Sequence, residues 1–146
     1  MENVITASIV LYNNDIEVLK STIKSFSLSK ITIQLFLVDN SISNKLEILA
    51  NEKWITYIHN PSNPGFGTSH NIAFKKSIEL GSFAHFIVNP DIYFDEDILS
   101  PMVDYMYQND DVGMIMPKVL NYDGSDQFLP KLLPSPLNWL RIESVV

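Results

Sequence analysis

Short apolar runs alternate with segments of helical period along most of the chain, and few folds accept that alternation. Val4 to Leu11 is a near-continuous apolar run with Thr6 and Ser8 inside it, the length of a strand buried in a parallel sheet. Leu35 to Val38, Trp54 to His59, Ala84 to Val88 and Val112 to Met116 read as four further strands. Between them, Ile16, Leu19, Ile23 and Phe26 recur at helical spacing to about Leu28, with Asn14 and Glu17 placed as a capping box. Lys45 to Asn51 reads as a short helix. A longer one, opened by Thr68 or Ser69, carries Ile72, Ala73, Phe74, Ile78 and Leu80 and stops at Gly81. Ser100-Pro101 reads as an N-cap before a helix that turns Met102, Val103 and Met106 inward. The expected fold is therefore α/β: a mostly parallel sheet flanked by helices and joined by right-handed crossovers.

Composition narrows the partners. The chain has 146 residues, enough for one domain with a real core. Its formal net charge of -7 argues against a nucleic-acid groove, which needs clustered Lys and Arg. The same charge means that an anionic ligand needs local help from a metal or from backbone N–H groups. There is no cysteine, which removes disulfides, thiolate metal sites and Cys nucleophiles. No apolar run reaches the roughly 20 residues of a membrane span. The N-terminus has no basic region followed by an apolar core. A cytoplasmic protein is expected, with a peripheral seat at the inner face of the membrane left open.

The ends of the strands carry the chemistry. Phe86, Ile87 and Val88 suit a strand covered on both faces, and Pro90 cannot donate to a ladder, so the strand ends by Asn89. Asp91 then lies on a loop at the strand's carboxyl end, the edge where open α/β sheets bind ligands. A second strand ends at Asp39, and the first ends at Tyr12-Asn13. Strand order is open at this point. So are plainer readings: Asn89-Pro90-Asp91 as an ordinary turn, Asp39 as a turn or N-cap aspartate, and Asn63 to Gly67 as a loop-to-helix turn.

Val10-Leu11-Tyr12-Asn13, Val38-Asp39-Asn40-Ser41, Asn63-Pro64-Gly65-Phe66-Gly67 with Asn71, and Asn89-Pro90-Asp91 together resemble the inverting nucleotide-sugar glycosyltransferases of the GT-A fold, family 2 type. The likeness is greatest to bacterial rhamnosyltransferase-like members. It runs in order from about Val4 to Gln127 and includes Pro117 to Asn121 and Asp123-Gly124-Ser125. It implies a nucleotide-binding sheet and a role for each motif. Tyr12 and Asn13 would touch the base or ribose, and Asp39 would accept hydrogen bonds from it. Asn63, Gly65 and Asn71 would shape the loop and helix start near the nucleotide-sugar, with Gly65 and Gly67 allowing close backbone approach and positive φ. Asn89 and Asp91 stand where the wider family has Asp-x-Asp, so Asp91 would hold Mg2+ or Mn2+ on the diphosphate. Many relatives carry Arg where this chain has His70.

The implied donor is a dTDP or UDP sugar, and the implied acceptor is a saccharide or lipid-linked molecule in surface polysaccharide synthesis. The resemblance divides the chain into a donor-binding domain, residues 1–120, and the start of an incomplete acceptor-side segment, residues 121–146. The family's catalytic base lies downstream of the metal aspartate. Asp123 and Asp126 come too early for that role, and the base is left unassigned. A truncated, non-catalytic nucleotide-sugar-binding or oligomerising remnant is therefore the alternative. A sugar-phosphate nucleotidyltransferase would want a basic, glycine-rich loop where Tyr12-Asn13-Asn14 stands.

The remaining candidates are plainer. His59, His70 and His85 lack metal-ligand spacing and read as solvated or packed. Asp95-Glu96-Asp97 suits a solvated approach to a helix better than a calcium site. The apolar, proline-broken stretch from Leu129 to Trp139 needs cover, which makes a homo-oligomer an expectation.

Overall fold

In the computed structural model, residues 4–127 are described. Four strands, β1 (Ile5–Leu11), β2 (Ile33–Asp39), β3 (Ile55–His59) and β4 (Ala84–Val88), form one sheet in the order β3-β2-β1-β4, with every pair parallel. The helices are α1 (Ile16–Ser25), α2 (Phe66–Glu79) and α3 (Leu99–Gln108), with 3-10 turns at Phe26–Leu28 and Lys45–Leu49. The chain builds outward from β1 to β3 and then returns through α2 to lay β4 on the other side of β1. The order thus reverses between β1 and β4, and a crevice opens at the carboxyl ends of strands at such a reversal.

The two sheet faces have different chemistry because side chains alternate along a strand. Ile5, Ala7, Ile9 and Leu11 join Leu35, Leu37, Leu19, Phe26 and Val103 in the main apolar cluster. The opposite face of β1 carries Thr6 and Ser8, both fully buried, and then Val10, beneath α2.

Local signals are shifted rather than reversed. The N-cap of α1 is Asp15, whose carboxylate accepts from the N–H groups of Glu17 and Val18. Asn14, the expected cap, instead accepts from Tyr12 N at 2.7 Å. Helix α2 opens at Phe66, two residues before the expected start, because Gly65 at φ 94 turns the chain into it. Gly67 consequently lies inside the helix and does not use the positive φ open to a glycine. Gly81 does adopt φ 66 just past the end of α2. The first turn of α3 is capped by Asp97, whose carboxylate accepts from Ser100 N, so Ser100 is not the N-cap.

Two strand expectations fail. β4 is not covered on both faces: among the described residues it pairs only with β1, and Ile87 is 62% exposed. Residues 112–116 form no strand, because a strand needs a neighbour to complete its ladder and none of the described strands pairs with them.

The chain divides into two compact units, Met1–Val112 and Gly113–Val146. In the second, the described residues form a tight hairpin. Gln127 N donates to Val119 O at 2.9 Å and Asn121 N to Ser125 O at 2.8 Å around Gly124 at φ 81. Asp123 accepts from Ser125, and Asp126 pairs with Lys118 at 2.7 Å. The apolar stretch from Leu129 to Trp139, with the oligomer expected from it, lies outside the described residues.

Candidate functional site

The register fixes which loops meet. Leu11 lies opposite Asp39 and Ile9 opposite Val88. Tyr12-Asn13, Asp39-Asn40-Ser41 and Asn89-Pro90-Asp91 therefore leave the carboxyl ends of three adjacent strands. The loop from Asn60 to Gly65 leaves the same edge after β3. Each segment is pinned by a nameable contact.

After β1, Asn13 takes φ 51, a left-handed conformation that asparagine tolerates. Its N–H donates to Ser41 Oγ at 2.8 Å, while Tyr12 projects into solvent. After β2, Asp39 is fully buried. Its Oδ1 accepts from Ser41 N at 2.8 Å, an aspartate turn, and its Oδ2 accepts from Tyr57 Oη at 2.6 Å. Burial pushes the Tyr57 phenol up, and the hydrogen bond and charge of Asp39 push it further, with the charge of Glu47 adding to both. Asn40 Oδ1 accepts from Ser69 Oγ at 2.8 Å, which ties the first turns of α2 to the end of β2. His59 Nε2 donates to Ser41 O at 2.9 Å. Ser41 thus holds three loops at once, through its N–H, its carbonyl and its hydroxyl.

After β3, Asn60 N donates to Asp39 O at 2.7 Å. Asn63, at φ 44, closes a turn on Asn60, and Gly65 enters the helix. No side chain caps the start of α2, so its first N–H groups remain open donors at this edge. Asn71 lies exposed on the next turn. After β4, Pro90 O accepts from Thr22 Oγ1 at 2.9 Å, which fastens the metal-loop candidate to α1. Asn89 and Asp91 are both exposed, and Ile92 N closes a turn on Asn89 O. The plainer turn readings of Asp39 and of Asn89 to Asp91 are thus geometrically met, and both turns sit at the carboxyl edge of the sheet.

Beneath this edge lies a polar lattice. Ser8 Oγ bridges His70 Nδ1 at 2.8 Å and His85 Nε2 at 2.7 Å. Thr6 Oγ1 meets His85 Nδ1 at 2.7 Å and Ser77 Oγ at 2.7 Å. A serine hydroxyl has one proton, so Ser8 donates to one imidazole and accepts from the other. Burial lowers both histidines, and the neighbouring His70 helps bring His85 to about 4. His70 Nε2 is buried without a hydrogen-bond partner among the described residues. His70 and His85 are therefore packed residues, whereas His59 is exposed.

A family model described as glycosyl transferase family 2 matches residues 6–143. The chain belongs to that family. The crystal structure of S. aureus TarS matches with a TM-score of 0.55 at 16% identity, covering 72% of this chain and 20% of that one. The chain thus spans about a fifth of the TarS length. Among curated proteins, none matches significantly. The parallel four-stranded sheet with flanking helices is the GT-A fold of glycosyl transferase family 2.

No group of three or more His, Asp or Glu gathers as a ready-made cation cage among the described residues. Magnesium commonly takes one or two carboxylates and fills its octahedron with phosphate oxygens and water. Exposed Asp91, with the Asn89 amide oxygen two residues away, fits that use. The sequence reading gave no site role to Tyr57, Ser41 or Ser69, although Ser41 stood in the second motif and Ser69 at the expected helix start. For Tyr57 the signal was the strand parity that puts it two residues before His59, the register partner of Asp39.

Proposed function

We propose that this chain carries the donor half of an inverting glycosyltransferase. It would bind a dTDP or UDP sugar and pass the sugar, rhamnose by its motif likeness, to a saccharide or lipid-linked acceptor in polysaccharide synthesis. The observation that carries the reading is the meeting of Tyr12-Asn13, Asp39 and Asn89 to Asp91 at one strand-order reversal in a family 2 domain. In this reading residues 1–120 bind the donor and residues 121–146 begin the acceptor side.

Tyr12 and Asn13 contact base or ribose, and Asp39 accepts hydrogen bonds from the base or ribose. Asn63, Gly65 and Asn71 shape the wall beside the diphosphate, where the open N–H groups of α2 favour anionic oxygens. Asn89 and Asp91 offer oxygens to Mg2+ or Mn2+. When bound, such a cation neutralises the charge that builds on the departing diphosphate. No residue is assigned as the base that takes the acceptor's proton.

A thermal-shift panel of nucleoside diphosphates, with and without magnesium or manganese, tests the reading. A ligand at 100 times its Kd stabilises a fold by about 2.7 kcal/mol. The expected response is to uridine or thymidine diphosphate, requires metal and disappears in Asp91→Ala. A response unchanged in that variant would move the cation elsewhere. Silence across the whole panel would refute donor binding.

A further inference from the structure

The sheet ends in two edges of unlike character. At the β3 edge no large apolar side chain of the strand is exposed. At the β4 edge Ile87 is exposed, and so is Phe83 just before the strand. Beside them on α2, Phe74 and Ile78 stand one turn apart and are exposed as well. The Phe74 ring meets the His85 ring edge-on at 5.6 Å. Ile87 lies two residues from His85 and so faces the same side of the sheet. Helix α2 sits mainly over β1, which leaves this apolar strip open. Along β4 itself, one row of backbone N–H and C=O groups meets no strand among the described residues.

Unpaired backbone groups flanked by apolar side chains call for an extended strand as their occupant. We propose that the occupant is β4 of a second copy of this chain, paired antiparallel about a twofold axis so that two four-stranded sheets become one. Charge favours the self-pairing. The chain carries a formal net charge of -7, yet Phe83 to Val88 holds no Asp, Glu, Lys or Arg. Two copies of this segment therefore meet without like charges facing each other. Natural edge strands are guarded by lysine or proline, and β4 contains neither. A pairing centred on Phe86 sets Ala84 opposite Val88 and His85 opposite Ile87. Both Ile87 side chains are then covered at once, each patch meeting its own copy as a twofold contact demands. The two carboxyl edges point in opposite directions, so the pairing does not depend on the donor-binding reading above.

Sedimentation velocity of the full chain, from low to high micromolar concentration, tests this. The wild-type chain should pass from monomer to dimer as concentration rises. Ile87→Lys should weaken the dimer by about tenfold or more, because the added charge enters twice across the axis. Ile87 is exposed in the single copy, so at dilution the variant should melt with the wild-type monomer. A chain that stays monomeric throughout overturns the proposal. So does a dimer that Ile87→Lys leaves intact, since its contact then lies in another segment.

Cross-linking maps the contact and serves should Ile87→Lys fail to fold. The chain has no cysteine, so Ile87→Cys introduces a single thiol. Across the axis the two residues at position 87 are diagonal neighbours, roughly 7–8 Å apart. A short bifunctional thiol reagent should join them. Ile42→Cys, at an exposed residue on the loop after β2, should give no dimer above background. Equal yields from the two positions overturn the proposal. Amide exchange on the wild-type chain is the last check: protection over residues 84–88 should rise with concentration. Protection already complete in the dilute monomer means that a segment of the same chain pairs with β4, and that overturns the self-pairing.

Discussion

The two faces of the sheet solve the same packing problem with opposite chemistry. On the side of α1 and α3, Ile9, Leu11, Leu35 and Leu37 are shut away completely in a dry apolar cluster. On the side of α2, Thr6 and Ser8 are just as completely buried, yet they meet His70, His85 and Ser77 through hydrogen bonds. The dry face draws its stability from removed apolar area, which is tolerant of direction. The α2 side also holds a smaller apolar cluster, Val10, Phe36, Val38 and Ala73, while its Thr6–Ser8 stretch depends on hydrogen-bonded partners. It is also the face that joins α2, which follows the Asn63–Gly65 loop and carries Asn71, to β4, which leads to Asp91.

The contrast is sharpened first by truncation on the dry face. Leu37→Ala should destabilise by about 2–5 kcal/mol, read by urea unfolding, because the cavity cannot fully collapse. A loss below about 1 kcal/mol would break the claim that this face is the main core. Ser8→Ala comes next. It leaves a nitrogen on each of His70 and His85 without its bridge and should cost about 1–3 kcal/mol. A neutral result would mean that the lattice is incidental.

Acid is the third probe, and it should act on one face only. The folded state keeps His85 at about 4 through burial and the nearby His70, below the ordinary value of 6.5. Above pH 6.5 both folded and unfolded chains are neutral there, and the group contributes nothing. As pH falls from 6.5 to 4 the unfolded chain takes up the proton first, so stability drops through that window. With His85 partly open to solvent, the loss should be about 1–2 kcal/mol. Urea midpoints across that range, compared with His85→Gln, measure it. The variant should lose much of this slope, and an unchanged slope would place the proton uptake elsewhere. The smallest expected effect is Asp15→Ala at the start of α1, about 1 kcal/mol, visible in the same assay and without the pH dependence of the histidine lattice.

Much of the scaffold could be read from residue order. Four of the five expected strands exist, because β-branched and apolar runs of that length have few other uses. The motif residues Tyr12, Asp39 and Asp91 could be placed at or just past strand ends from Pro90 and from the polar residues that follow each run. Less legible was anything requiring two distant segments. The edge position of β4 and the absence of a strand over residues 112–116 depend on which strand pairs with which. Asn14 and Asp15 are both good caps, and only the backbone geometry chose Asp15. Tyr57 looked like one strand residue among several until register set its hydroxyl on Asp39.

By itself, then, the order of residues determined the alternation of strand and helix, the polar stops at the strand ends and the family motifs. These are local, written in periodicity and turn chemistry over a few positions. The tertiary structure alone decided that Asp39 is sealed by Tyr57, that one serine joins two histidines, and that the strand order turns back between β1 and β4. Hydrogen bonds between side chains 18 to 77 positions apart depend on register and crossover, which no short stretch of sequence encodes.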